Sequence, residues 1–354
     1  MNHSSNKPND PQSENIFREF VSIQSPARLH FGLMEVCSGQ DRLFGGLGAM
    51  IEQPATQLSL TMIPPKKKPR IETYLIEADE PWRSRIESVV KRWMLANGSP
   101  IIPPFQIRLD NKPRMHAGLG SGTQVACATV SLLSNWHRNK SMARGSSSKD
   151  LSVSFADLSK ITQRGKRSFV GLAGHQKGGF IIDYGQSIID SERQIDHLEI
   201  PHEWHVVLAK PLATATISGV VENDYFGQSQ FPNPHRESMW SRVQDEIVPS
   251  LRKGDLRQFG SALYEYGRDA GRVFARVQGG IYRDQVVASL IDWMRAQGVA
   301  ATGQTSWGPT VYAILGTKQD AEELLLKLSL QFPVGVDAMV TPFNHTGYRI
   351  QQGL

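Results

Sequence analysis

Apolar residues along this chain repeat with a period that changes from block to block. FVSIQSPARLHFGLMEV alternates and carries a proline break, and ATQLSLTMI has a cleaner period of two closed by PPKKKPR; both predict strands of an opening sheet. In WRSRIESVVKRWMLA the period lengthens. Ile86, Val89, Val90, Trp93 and Met94 form one stripe closed by Asn97-Gly98, which predicts a core-facing helix. IIPPFQIRLDN predicts another strand, VACATVSLLSNW a buried helix and FADLSKITQRG a helix after the serine-rich connection RNKSMARGSSSKD. HQKGGFIIDYGQS predicts a strand and a turn, EWHVVLAKPL an apolar strand, and Arg236 to Gln278 and Asp284 to Gln297 long helices. TSWGPTVYAILG, the amphipathic AEELLLKLSL and a last strand, VDAMVTPF, complete the pattern. Strands and helices mix without a regular βαβ repeat, so the expected class is α+β. The expected organisation is a disordered tail over 1–20, a first domain over 21–200 and a second over 201–354, divided near Pro201.

Composition narrows this picture only a little. A chain of 354 residues with 40% apolar content can bury a full core unaided. Its formal charge of +5 is modest and spread along the chain. PPKKKPR is read as a solvated turn rather than a nucleic-acid patch, and no zinc-finger or RNP-type pattern occurs, so nucleic acid is not an expected partner. Cys37 and Cys127 lie far apart without a CxxC, which argues against a disulfide framework or structural zinc. The polar start, and the lack of any run of 18 apolar residues, give the expectation of a soluble, cytoplasmic protein that does not span a membrane.

The sharpest chemical feature is MHAGLGSGTQ at the mouth of a helix. Gly118, Gly120 and Gly122, with Leu119, Ser121 and Thr123 between them, form a loop whose N–H groups can point at an anion with the helix dipole behind them. The loop matches neither the P-loop nor the dinucleotide fingerprint. A glycine turn that only packs a strand on a helix is the other reading.

SPARLHFGLMEV, HAGLGSGTQ and TGQTSWGPTVYAIL fall in the order and approximate spacing of the three GHMP kinase superfamily motifs, across most of residues 22 to 315. In detail, the chain resembles the β-ribofuranosylaminobenzene 5′-phosphate synthase family, through Ser25 to His30, GLGSGTQ, GHQKGGFIIDYGQS from Gly174 and GQTSWGPT from Gly303. The kinases have consecutive glycines in the third motif, where this chain has Gln304, Thr305, Ser306 and Trp307. The resemblance implies a two-domain fold, with an N-terminal mixed αβ domain and a C-terminal ferredoxin-like domain. It also implies a homodimer and a pentosyltransferase step in tetrahydromethanopterin biosynthesis. In that step, 5-phosphoribosyl 1-diphosphate reacts with 4-aminobenzoate and releases diphosphate and carbon dioxide.

Loss of diphosphate builds negative charge on the leaving group, so such a site needs fixed cations and N–H donors. Arg28 and His30 alternate on a strand and face one side. Arg164, Lys166, Arg167, His175 and Lys177 cluster before Asp183. The assignment that follows gives Arg28, His30, His175 and Asp183 catalytic roles. The glycine loop, Arg164 and Lys177 hold phosphate, and Trp307 and Gln304 hold the aromatic ring. Magnesium is implied by the diphosphate, with Asp183 as its carboxylate and Glu35 and Asp41 as further candidates. The alternatives are an ATP-dependent GHMP small-molecule kinase, in which Asp183 would take the hydroxyl proton, and a ligand-binding protein that keeps the fold without catalysis.

Overall fold

The computed structural model describes residues 20–34, 42–63, 74–99, 103–111, 115–143, 153–187, 193–212 and 233–353. The expected tail up to residue 19, Glu35, Cys37, Asp41 and the PPKKKPR cluster lie outside the described residues. Two sheets organise the rest.

The first is built from β1 (Phe20–Leu33), β2 (Arg42–Leu43), β3 (Gly46–Met62), β4 (Tyr74–Glu77), α1 (Trp82–Ala96), β5 (Phe105–Asn111), α2 (Ser121–Ala143), α3 (Phe155–Thr162), α4 (Val170–Lys177), β6 (Phe180–Ser187) and β7 (Arg193–Leu198). β3 is long enough to pair with β1 along one side and, along the other, with β6 at its start and β5 at its end. The proline break in SPARLHF does not end β1. Pro26 sits where the β1–β3 register shifts between Ser25 and Ala27, a position that needs no ladder N–H. The stripe predicted for α1 is buried at Ile86, Val89, Val90 and Trp93, and it packs with Trp136 of α2 on Leu58, Leu60 and Ile107 of the sheet. GHQK, expected to lead a strand, is instead the end of α4, and the strand starts at Phe180.

The second sheet follows with β8 (His205–Pro211), α5 (Arg236–Arg242), a π-helical turn (Val243–Ile247), α6 (Val248–Lys253), α7 (Leu256–Gln278), α8 (Gln285–Ala296), β9 (Ala301–Gln304), β10 (Val311–Leu315), α9 (Lys318–Gln331) and β11 (Val336–Pro342). Its spatial order β11-β8-β10-β9 is the 4-1-3-2 order of a ferredoxin-like unit. The long helix expected over 236–278 is broken at Gly254, and α7 restarts on Asp255, whose side chain accepts the Gln258 N–H. Beyond VDAMVTPF the chain returns. β12 (Arg349–Gly353) pairs antiparallel with β1, so the end of the chain belongs to the first sheet rather than to a closed unit over 201–354. A shared core joins the halves: Leu29, Phe31, Leu47 and Phe180 pack against Phe259, Leu263, Tyr266 and Tyr312.

Candidate active site

The three motifs converge on one hydroxyl. Thr305 is fully buried in the turn between β9 and β10. Its Oγ1 accepts the His30 backbone N–H at 3.0 Å and donates to the Gly118 carbonyl at 3.1 Å, while the Ser306 N–H donates to the His30 carbonyl at 2.8 Å. Gly118 has φ +80°, and a Cβ there would lie 2.4 Å from the Thr305 carbonyl oxygen, so the contact between second and third motifs requires glycine.

Beside this junction lies a cavity of about 370 Å³. One wall carries Arg28 and His30 from β1, Thr123 from α2, and the 163–168 loop with Arg164, Lys166 and Arg167. α7 lines the cavity as well, with Tyr264, Gly267, Ala270, Gly271, Phe274 and Gln278 on one helical face. Tyr282, Trp307 and Tyr312 close the aromatic end. Among the described residues, none that lines the cavity is an aspartate or glutamate.

The electrostatics follow from that inventory. Burial holds Arg164 below the usual guanidinium value, and Arg85, Arg92 and Arg167 act in the same direction, as expected where cations crowd together. Burial also keeps His30 well below the ordinary imidazole range, with Arg28 and Arg167 adding to the effect, so it is neutral at pH 7. Its Nδ1 accepts the Gly32 N–H at 3.3 Å, which leaves the proton on Nε2. His30 is therefore a neutral hydrogen-bond donor.

Arg28, His30, Thr123, Arg164, Gln304 and Trp307 all lie on the cavity, as expected from the sequence, but other assignments need correction. Of the glycine loop, only Thr123 lines the cavity. Leu119 is buried and its carbonyl accepts the Arg28 N–H at 3.0 Å, Gly120 lies under the Arg28 side chain, and Gly122 faces Arg85 and Arg164. Ser121 opens α2 beside them. Gly120 and Gly122 pack arginines close to the helix start, and Gly118 packs on Thr305, rather than forming the cavity wall.

His175, given a catalytic role from the sequence, lies away from the cavity. It is fully buried, with Nδ1 2.8 Å from Ser25 Oγ and Nε2 2.9 Å from Ser131 Oγ, and it stacks on Tyr348. Ser25 Oγ donates to Gln124 Oε1, so it must accept from Nδ1–H, and Ser131 then donates to Nε2. Burial lowers this histidine to about 3. Lys177 ends α4 and is exposed, outside the cavity lining. Gln304 borders the cavity, but its amide is engaged: Oε1 accepts the Arg283 N–H at 2.8 Å and Nε2 donates to the Ser306 carbonyl at 2.9 Å. It is a strut for the turn that carries Trp307, whose ring packs on Phe274 at 4.8 Å between centroids.

Asp183 is neither an open base nor an available metal ligand. Its oxygens accept Arg193 Nε at 2.8 Å and Nη2 at 2.7 Å, together with the N–H groups of Phe169 at 2.7 Å and Gly185 at 3.1 Å. Among the described residues no group of three or more His, Cys, Asp or Glu side chains could hold a metal ion. The sequence did not single out the α7 face or Tyr282 and Tyr312. The closely spaced small residues Gly267, Ala270 and Gly271 were the available signal.

Comparison with known proteins agrees with this architecture. Residues 85–179 match the GHMP kinases N terminal domain and residues 247–334 match GHMP kinases C terminal. The β-ribofuranosylphenol 5′-phosphate synthase of Methanothermobacter thermautotrophicus is 28% identical over 84% of this chain and 89% of its own length. The protein of the same name from Methanocaldococcus jannaschii is 25% identical over 93% and 99%. Among solved structures, homoserine kinase from Cytophaga hutchinsonii superposes with TM-score 0.65 at 16% identity over 94% of this chain and 97% of its own. Mevalonate diphosphate decarboxylase from Staphylococcus aureus superposes with TM-score 0.60 at 15% identity over 94% and 98%. These two establish the fold alone.

Proposed function

The chain belongs to the GHMP kinase superfamily and, within it, to the ribofuranosyl 5′-phosphate synthase branch, and from that premise we propose that it transfers a 5-phosphoribosyl group to a para-substituted benzoate. The observation that carries this reading is the cavity itself, which joins Arg28, Arg164, Lys166 and Arg167 to an aromatic wall and, among the described residues, has no lining carboxylate. A phosphorylated sugar and a benzoate, both anions, match that lining.

In the proposed step, the C1–O bond of 5-phosphoribosyl 1-diphosphate breaks and its electron pair leaves on diphosphate. The ring carbon bearing the carboxylate supplies the pair for the new C–C bond, assisted by the para amino or hydroxyl group. The C–CO₂ bond then breaks, its electrons restore the aromatic ring, and carbon dioxide departs. No proton has to be removed. This suits a lining whose histidine is neutral with Nδ1 occupied. Arg28, Arg164, Lys166 and Arg167 would grip the phosphates, and Trp307 with Phe274 would hold the ring.

A kinase needs a group to orient or take the hydroxyl proton. The aspartate a kinase reading would use is locked onto Arg193, which weighs against phosphoryl transfer. Magnesium, in this reading, enters with the diphosphate, and no step above runs through it. The proposal includes a homodimer in a reducing cytoplasm; among the described residues no helix is long and apolar enough to cross a membrane.

The test is incubation with 5-phosphoribosyl 1-diphosphate, magnesium and carboxyl-labelled 4-aminobenzoate or 4-hydroxybenzoate. Labelled carbon dioxide released in step with diphosphate is expected, and the better acceptor identifies the para group. ATP turnover on an alcohol with no labelled gas would replace this reading with the kinase.

A further inference from the structure

Asp183 and Arg193 have a second role, visible in where the guanidinium points. The pair is buried, with side-chain exposures of 0% and 6%. Adjacent antiparallel strands already join β6 to β7, and Asp183 stands opposite Ile195 in that ladder. A pair needed only to hold the two strands together could spend all its donors on the carboxylate. Arg193 does not. Nη1 donates to the Gly165 carbonyl at 3.1 Å, and Nη2, besides reaching Asp183, donates to the Arg167 carbonyl at 2.9 Å. The guanidinium also lies 4.3 Å over the Phe169 ring, and Asp183 accepts the Phe169 N–H. The pair thus grips the main chain at Gly165, Arg167 and Phe169, in and just beyond the loop that brings Arg164, Lys166 and Arg167 to the cavity.

We propose that Asp183 and Arg193 are positioning residues that hold the 163–168 loop in the shape that presents its cations to the phosphates of the phosphoribosyl donor. The proposal rests on the phosphoribosyl-transfer reading for the identity of the donor. Physically, three like charges on a short loop repel one another and favour a splayed loop. A planar fork with several fixed donors can hold backbone carbonyls against that repulsion, and a lysine cannot reproduce its geometry.

The test compares wild type with Arg193→Lys, which keeps a cation opposite Asp183 but gives up the fork. Binding of inorganic diphosphate is measured by titration calorimetry, and KM is measured separately for donor and acceptor. Arg193→Lys is expected to bind diphosphate about tenfold more weakly and to raise the donor KM by a similar factor, the equivalent of about one lost hydrogen-bond contribution. The acceptor KM is expected to stay within about twofold. A folded Arg193→Lys that binds diphosphate like wild type overturns the proposal, as does an equal rise in both KM values. Should Arg193→Lys fail to fold, Asp183→Asn carries the same expectation. Loss of the fold in both variants also overturns the proposal, because the pair would then serve the fold rather than the loop. Wild-type protein that binds diphosphate but releases no carbon dioxide sinks the transfer reading and leaves this one standing.

Discussion

At the scale of single residues, the site depends on a few buried polar atoms with no spare partners. Thr305 is the sharpest case, because one hydroxyl serves both the His30 N–H and the Gly118 carbonyl. Thr305→Val keeps the shape and removes both bonds, so it is expected to cost about 1–3 kcal/mol of stability. Denaturant melts would show it, and an unchanged midpoint would mean that water can replace the hydroxyl. Gly120 has φ +71°, and a Cβ there would sit 3.1 Å from Arg28 Nε. Gly120→Val is therefore expected to abolish transfer by pushing Arg28 aside, with some loss of stability from the strained backbone. Activity equal to wild type would remove Arg28 from the site.

At the scale of elements, α7 decides the shape of the cavity. Its small residues let it approach β1: a Cβ on Gly32 would stand 2.3 Å from the Ala270 Cβ, so neither position tolerates a larger side chain. Gly267 is different. A Cβ there would meet only the Phe31 carbonyl at 3.7 Å, and the residue faces the cavity. Gly267→Ala is expected to stabilise the protein by up to about 1 kcal/mol through helix propensity, read as a raised Tm. Gly267→Leu is expected to fold normally yet raise the acceptor KM by filling the space. Normal acceptor kinetics in the leucine variant would show that the ring binds elsewhere. β1 makes the complementary contribution, since its register shifts at Ser25/Ala27 and His30/Gly32 bracket Arg28 and His30.

At the scale of the whole molecule, two buried neutral histidines tie stability to pH. His30 and His175 both protonate far less readily in the fold than at the ordinary value of 6.5, mainly because of burial. Between 6.5 and the depressed folded values the unfolded chain binds more protons than the folded one. Stability is therefore complete above about pH 6.5 and falls as pH drops, by up to about 1.4 kcal/mol per pH unit for each histidine. Urea midpoints at pH 7.5 and 5 should differ accordingly, and His175→Gln should flatten the slope. A midpoint independent of pH over that range would contradict the buried neutral assignment. His175 sits in the Ser25, Ser131, Gln124 and Tyr348 network behind the active site, so acid loosens the scaffold of β1, α2 and α4.

Much of this molecule can be read from one dimension. The buried stripe of α1, the helix after the glycine loop and the order of the three motifs all follow from local period and composition, because side-chain burial repeats with backbone geometry. That Arg28, His30 and Trp307 belong near one another was also legible from the order of the motifs, and Arg164 from the run of cations before Asp183. What each polar side chain does was not. The sequence reading gave His175 and Asp183 catalytic roles, Lys177 a phosphate and Gln304 the aromatic ring, yet the first is a buried neutral strut, the second is clamped by Arg193, the third is exposed elsewhere and the fourth supports a turn. The return of β12 to β1 and the α7 wall depended likewise on contacts between residues far apart in the chain. Sequence determines what a residue can donate, accept or bury. Only the tertiary structure decides which partner takes up that capacity, and so which groups remain open to a substrate.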